Sequence, residues 1–334
     1  KRVNPNDSKQ DRKILLRSSQ SFHGKLFGAG AATASPELNY KFPKPFETID
    51  FERNNQKSFL NAIAKSKKGA KSKAFAIIYE PFSASLCEDS SIEFLKLLRK
   101  EATKEDITLI IDEVYSGFFK TGPLFNFMYS EIIPDIVTFG KSFGGGKSSI
   151  SGYISKESIF KSAYGKSKYA TLHSTTYAGL GEEAATAIKS LEIAIRDNYE
   201  EKALTLDKEI SNILLPLCKK SPLIKSVSGK GALWAIEVEL LPFMKLFFLD
   251  KIDKRICEKI LVALIIEKLY AEHNILSFFG SNTSIKLIIS MPLIAEKKEI
   301  DKLSKSLKSI FLDTKGMKRF AIKKGYQFLK DKIF

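Results

Sequence analysis

Three titratable side chains stand at the ends of successive apolar runs. Glu80, Asp112 and Lys141 each lie at or just after the end of a run, and the runs read AFAIIY, ITLII and DIVTF. In sheets of parallel strands, ligands bind at the carboxyl ends of the strands. A lysine amine at such a position can act as a nucleophile or a base, and a carboxylate can pair with a charged nitrogen. The spacing therefore predicts a ligand-binding edge formed by these three residues.

The elements around these residues predict the sheet itself. All three runs are apolar on both faces, which is typical of strands buried between helical layers. Between the first two runs, Ser90 and Ser91 can cap a helix that continues through Glu101 and carries an apolar face. This order of strands and helices favours an α/β fold with a mostly parallel sheet.

The chain changes character after Gly152. The later patterns predict the helices and strands of a smaller α+β domain, with Pro216 ending the second of the helices. We therefore place a large domain at 1–200 and a C-terminal domain at 201–334. The predicted elements after Gly152 are a helix at 182–197, a helix at 200–215, a strand at 232–239, a helix at 255–270, a strand at 284–290 and a helix at 296–312.

Composition narrows the classes of function. The 334 residues carry a net charge of +16, but the lysines are dispersed and arginine is scarce, so we expect no nucleic-acid partner. No run approaches the roughly 18–20 apolar residues of a membrane span, and we expect no membrane partner. Cys87, Cys218 and Cys257 are too far apart to suggest a disulfide framework or a metal site, so we expect a cytoplasmic protein without a metal.

The region from 111 to 146 carries a set of ordered motifs. They are IDEVYSGF at 111–118, KTG at 120–122, Phe125, PDIV at 134–137 and GKSFGGG at 140–146. This pattern resembles the core signature of the class III aminotransferases, pyridoxal-phosphate enzymes of fold type I that include the ornithine and 4-aminobutyrate aminotransferases. The resemblance implies a three-layer large domain with a mostly parallel sheet, a smaller C-terminal domain, pyridoxal 5'-phosphate as cofactor and a homodimer.

The same resemblance assigns roles to two of the three strand-end residues. Lys141 matches the lysine that binds the cofactor as a Schiff base and later moves the proton at the substrate α-carbon. Asp112 matches the carboxylate that keeps the ring nitrogen protonated. The alternative interpretations are a surface lysine and a strand-end cap. A nucleotide phosphate loop at GGGKS is not supported, because GxxxxGK[ST] requires a glycine where Lys141 stands.

Further positions match residues around the cofactor and the substrate. Val114 and Phe22 match the residues on the two faces of the cofactor ring, and both also fit a plain core role. Thr176 matches the threonine that reaches the cofactor phosphate of the partner subunit, although such residues are common in loops. Glu80 and Lys286 match positions near the substrate, and Glu80 equally fits a strand-end acid before proline.

Several features depart from the family pattern. Tyr115 stands where the family has a glutamine, and Lys120 where it has an arginine. At Lys286, lysine keeps the charge of an arginine but loses the two-pronged contact with a carboxylate. The family's amino-terminal segment, which binds the cofactor phosphate, has no match. We therefore expect the 334-residue chain to begin partway into the large domain and to bind the cofactor weakly on its own.

Three functions agree with these residues. The first is a transaminase that moves an amino group between an amine or amino acid and a keto acid or aldehyde. The second is a related pyridoxal-phosphate enzyme, such as an aminomutase, a racemase or a decarboxylase-like member. The third is a degenerate module that keeps the fold without catalysis. Lys141 and Asp112 favour the first two functions, and the unmatched phosphate segment favours the third.

Overall fold

The protein divides into two compact units, Lys1–Glu201 and Lys202–Phe334. The computed structural model describes residues 12–34, 44–68, 71–240, 254–281, 285–320 and 322–323. The first unit contains a six-stranded sheet and the second a four-stranded sheet.

The large sheet of the first unit is mostly parallel. The strands of this unit are β1 (Ile14–Ser18), β2 (Glu47–Phe51), β3 (Lys67–Lys68), β4 (Lys71–Ser72), β5 (Ala74–Tyr79), β6 (Thr108–Asp112), β7 (Ile136–Phe139) and β8 (Gly152–Ser155). Six of them form the sheet in the order β2-β1-β5-β6-β7-β8, and β3 and β4 pair separately. All neighbours in the sheet are parallel except β8, which is antiparallel to β7. The prediction of a mostly parallel α/β sheet is confirmed.

The helices of the first unit follow the strands in the expected alternation. They are α1 (Phe27–Ala32), α2 (Gln56–Lys65), α3 (Ile92–Lys104), α4 (Glu157–Tyr164) and α5 (Gly181–Arg196). The hydroxyl of Ser91 caps α3 by accepting the backbone N–H of Phe94 at 3.1 Å. Short 3-10 turns form at Asn126–Ser130, Lys141–Gly144 and Ser167–Tyr169.

The two faces of this sheet are covered unequally. On one face, the buried rings of Phe51, Phe59, Tyr79 and Phe94 form an aromatic cluster that packs α2 and α3 against the strands. The other face carries half-buried side chains such as Ile110 and borders a cavity of about 1680 Å³. Helices also lie on this face, since Ala32 of α1 packs with Leu15 and Ala76, and residues of α4 line the cavity. Helical layers therefore cover both faces, as expected, and the second face is less completely buried within the described residues.

The second unit has an antiparallel sheet with helices and a separate core. Its sheet order is β11-β12-β10-β9. Apolar side chains of the helices and strands, among them Leu214, Ile236 and Leu261, are fully or almost fully buried in that core. No helix in the described parts of either unit is long and apolar enough to cross a lipid bilayer. The elements are α6 (Tyr199–Lys220), β9 (Ile224–Lys230), β10 (Leu233–Val238), α7 (Lys254–His273), β11 (Phe278–Ser281), β12 (Ile285–Ser290) and α8 (Lys297–Phe311).

The prediction that Pro216 ends a helix is wrong. Helix α6 continues through Pro216 to Lys220. The backbone carbonyl that loses its partner at a helical proline belongs to the residue four positions earlier, Asn212, and both residues are exposed. Water can therefore satisfy that carbonyl, while continuation of the helix buries Leu217 in the core.

Candidate active site

The carboxyl ends of neighbouring strands carry Glu80, Asp112 and Lys141. Strand β5 pairs in parallel with β6, and Asp112 pairs with Thr138 of β7, three residues before Lys141. The negative charges of Asp112 and Glu80 both act on the amine of Lys141. The structure thus brings the three residues to one edge of the sheet.

Asp112 is buried and held in its ionised form. Its Oδ1 accepts the backbone N–H of Val114 at 3.0 Å, and its Oδ2 lies 2.7 Å from Nδ1 of His23. Burial favours the neutral acid, but the hydrogen bond and charge of His23, with the Val114 N–H, outweigh it and hold the pKa of Asp112 below its usual value. A negative charge is therefore present at the end of β6 at neutral pH.

His23 is a site residue that the sequence did not assign. Its side chain is 1% exposed, and its Nε2 is buried without a hydrogen-bond partner among the described residues. Burial lowers its pKa, but the hydrogen bond and charge of Asp112, with the charge of Glu80, raise the pKa above the ordinary value. The signal was the position of His23 next to Phe22, which was itself assigned to the cofactor.

Glu80 supports the segment that carries His23. Its Oε2 accepts the backbone N–H of Phe22 and its Oε1 that of Ala84, each at 3.0 Å. Burial raises the pKa of this carboxyl above its ordinary value. Both oxygens of Glu80 are therefore engaged with the backbone, which favours the strand-end interpretation of this residue.

Lys141 begins the 3-10 turn that follows β7. Its backbone has a φ of 45°, in the left-handed region that residues with a Cβ rarely adopt. Its Nζ lies 4.9 Å from the centroid of the Tyr115 ring. Loss of water around the amine lowers the pKa of Lys141, while Asp112 and Glu80 act in the opposite direction. The amine is thus easier to deprotonate than an ordinary lysine amine.

The glycines after Lys141 let this turn approach helix α5. Gly145 has a φ of 62°, and a Cβ at this position would lie 2.7 Å from Oγ of Ser190 on α5. Such a distance is too short for any side chain. The left-handed backbone and the close approach of Ser190 therefore both favour glycine at 145, in the loop that follows the Lys141 turn.

Glu113 is a second residue that the sequence did not single out. It is completely buried, accepts the hydroxyl of Ser116 at 2.6 Å and accepts the backbone N–H of Phe127 at 2.8 Å. Burial raises its pKa to about 7. Glu113 thus braces the turns after β6, directly behind Asp112.

The remaining predicted residues lie in different settings. Phe22 and Val114 are half-buried, and their backbone N–H groups contact Glu80 and Asp112. Thr176 is exposed in the loop before α5. Lys286 lies on β12 in the second unit, where it is buried and donates to Ser228 Oγ at 3.3 Å. The roles of these four residues remain predictions.

Comparisons with known sequences identify a family. The sequence profile described as Aminotransferase class-III matches residues 2–311. An acetylornithine aminotransferase from Methanocaldococcus jannaschii is 29% identical over 306 residues, which are 90% of this chain and 67% of that protein. An acetylornithine aminotransferase from Oceanobacillus iheyensis is 30% identical over 228 residues, or 68% of this chain and 54% of that protein.

Solved structures share the fold. A transaminase from the marine bacterium Virgibacillus superimposes with a TM-score of 0.78 at 21% identity, covering 93% of this chain and 69% of that one. The ornithine aminotransferase of Toxoplasma gondii gives a TM-score of 0.76 at 20% identity, covering 93% of this chain and 67% of that one. The chain therefore spans about half to two thirds of the length of these relatives.

Proposed function

Since the chain belongs to the class III aminotransferase family, we propose that it binds pyridoxal 5'-phosphate and moves an amino group between an amine or amino acid and a keto acid or aldehyde. One observation carries the proposal. A carboxylate that is held ionised, Asp112, and an amine with a lowered pKa, Lys141, follow neighbouring parallel strands at one sheet edge.

The chemistry of these two groups fits the cofactor. Pyridoxal phosphate, when bound, supplies an electron sink that requires a protonated ring nitrogen and a protein amine for covalent attachment. Asp112 would hold the proton on the ring nitrogen, because its own pKa is too low to compete for that proton. Val114 and Phe22, whose backbones flank the two carboxylates, would hold the faces of the ring.

Lys141 would attach the cofactor and then act as a base. Both tasks require the uncharged amine, since an ammonium has no lone pair to donate. The lowered pKa of Lys141 increases the fraction of uncharged amine near neutral pH. Once the incoming amine has released the Lys141 side chain, its amine would remove the proton at the substrate α-carbon. It would then deliver that proton to a different atom.

The substrate and the assembly are also part of the proposal. Two relatives are named acetylornithine aminotransferases, and we include ω-amino acids among the donors. We propose that Lys286 contacts a substrate carboxylate and that Glu80 lies near the substrate. We infer a homodimer in which the exposed Thr176 reaches the cofactor phosphate of the partner subunit.

Reductive trapping tests the central assignment. Incubation with pyridoxal 5'-phosphate followed by borohydride should produce a stable adduct on the peptide that contains Lys141. Lys141→Ala should remove this adduct, whereas Lys147→Ala, which changes a lysine six residues away beyond the glycine run, should retain it. An adduct that persists on another residue in Lys141→Ala, or that never forms on Lys141, would overturn the proposal.

A further inference from the structure

The amine of Lys141 is held by an aromatic ring and by no charged partner. Its Nζ lies 4.9 Å from the centroid of Tyr115. Among the described residues, Lys141 forms no hydrogen bond and no ion pair, although the charges of Asp112 and Glu80 reach it. An ammonium that interacts with two buried carboxylates would ordinarily form an ion pair with one of them.

Both carboxylates are already engaged. Asp112 uses one oxygen for the Val114 N–H and the other for His23. Glu80 uses one oxygen for the Phe22 N–H and the other for the Ala84 N–H. Each of these oxygens therefore already accepts a hydrogen bond, and the Lys141 amine lies instead over the face of a π-system, which is a favourable site for a cation.

The ring of Tyr115 is fixed on its other sides. It stacks on the buried ring of Phe82, with centroids 6.3 Å apart and planes 21° from parallel. Its hydroxyl lies 3.7 Å from Sγ of the buried Cys87. Burial, with Cys87 and Glu80, raises the pKa of this phenol, so Tyr115 stays neutral. Tyr115 therefore offers Lys141 its ring rather than a charge.

We infer that Tyr115 is a positioning residue for Lys141: the face of its ring holds the amine at the sheet edge, apart from the oxygens of Asp112 and Glu80. An ion pair with either carboxylate would stabilise the protonated amine. The ring contact is weaker than such an ion pair, so it stabilises the ammonium less. The amine consequently gives up its proton more readily than an ion-paired lysine. This inference rests on the proposed role of Lys141 as the nucleophile.

Trace labelling of Lys141 tests the role of the ring without any cofactor. Acetic anhydride reacts with uncharged amines, and the acetylated Lys141 peptide is quantified by mass spectrometry as a function of pH. Tyr115→Leu should raise the midpoint of labelling by about one pH unit, or about tenfold less uncharged amine at neutral pH, because water and the carboxylates gain access to the ammonium. Tyr115→Phe, which keeps the ring and loses the hydroxyl, should retain the wild-type profile.

A second variant and a second measurement separate the outcomes. Tyr115→Met fills the site with a flexible apolar chain and should behave like Tyr115→Leu, while circular dichroism shows that each variant is folded. The rate of borohydride-trapped adduct formation with pyridoxal 5'-phosphate should fall about tenfold in both variants, in step with the uncharged fraction. An unchanged labelling profile in a folded Tyr115→Leu or Tyr115→Met protein, or a profile altered in Tyr115→Phe, would overturn the inference. Failure of the wild-type chain to form any adduct on Lys141 would contradict the proposed function instead.

Discussion

At the scale of single residues, the site depends on one buried ion pair. His23 and Asp112 lie 2.7 Å apart with side chains that are 1% and 8% exposed. A pair in such a position holds its charge only while both members are present, because an uncompensated charge in the protein interior is costly. His23 therefore acts through Asp112, as a positioning residue behind the proposed cofactor nitrogen.

We predict that His23→Leu destabilises the protein by about 3–5 kcal/mol, since it leaves the Asp112 carboxylate without its partner. The pKa of His23 is raised above 6.5, so its contribution is present below pH 6.5 and is lost as the pH rises through the folded-state pKa. The pKa of Asp112 is lowered below 3.8, so its contribution is present above pH 3.8 and is lost as the pH falls. Urea unfolding should show the largest effect between these two values.

The matched control is an exposed histidine. His173→Leu changes the same side chain in the loop before α5 and should alter the free energy of unfolding by less than about 0.5 kcal/mol. If His23→Leu and His173→Leu had equal effects, or if the effect of His23→Leu were independent of pH, His23 would not be the partner that keeps Asp112 ionised.

At the scale of elements, the two faces of the large sheet make different contributions. Leu109 and Ile110 are adjacent on β6 and point to opposite faces, as successive strand residues do. Leu109 is completely buried in the core with α2 and α3, whereas Ile110 is half-buried and borders the cavity. The stability of this unit therefore comes mainly from the aromatic face.

We predict that Leu109→Ala costs about 2–5 kcal/mol in the 334-residue chain, the usual range for a fully buried leucine. Ile110→Ala should cost about half of that or less, because less apolar surface is lost from contact. The two variants are the same kind of truncation on one strand, so urea midpoints can be compared directly. Equal losses would mean that the second face is as tightly packed as the first.

The elements also differ in how far they could be predicted from the sequence. Strands β5, β6 and β7 were predictable because both of their faces are apolar and their ends carry titratable residues. Strands β1 and β2 were not, since β1 has a short apolar run that ends at Arg17 and β2 alternates with polar side chains. Their positions depend on long-range pairing and on the contact of Arg17 with Asp50 at 2.7 Å, which no local pattern reveals.

The same limit applies to the candidate site. Lys141 and Asp112 could be proposed from their motifs, because glycines and strand ends leave a local pattern. His23 could not be joined to Asp112, since the two are 89 positions apart in the chain and meet only when β1 and β6 lie in one sheet. Tyr115 could be recognised as a departure from the family pattern, but its contact with Lys141 forms only in the folded chain and leaves no pattern in the sequence.

At the scale of the whole molecule, the remaining question is how many chains form one active site. Thr176 is exposed on the loop before α5 in the single chain, so its hydroxyl is available to another protein. Dimers with two-fold symmetry exchange the same surface in both directions. If Thr176 serves the partner's cofactor, each site of the proposed homodimer takes Lys141 from one chain and Thr176 from the other.

Mixing two variants with different defects tests this arrangement. Thr176→Ala should weaken cofactor binding about 10- to 100-fold, the loss of one charge-assisted hydrogen bond of about 1.5–3 kcal/mol, and Lys141→Ala should abolish the trapped adduct. In a mixed dimer, one site combines the intact Lys141 of one chain with the intact Thr176 of the other. Co-refolded equal amounts should therefore recover about a quarter of the wild-type adduct at cofactor concentrations that do not saturate Thr176→Ala, because half of the dimers are mixed and each has one complete site. The control carries both substitutions on one chain and mixes it with wild type. No mixed dimer then contains a complete site, so only the wild-type homodimers contribute and about a quarter of the wild-type adduct is expected, whereas about a half would form if Thr176 served its own chain. Recovery no greater than that of Thr176→Ala alone, or sedimentation of the chain as a monomer that still forms the adduct, would place Thr176 outside the partner's site.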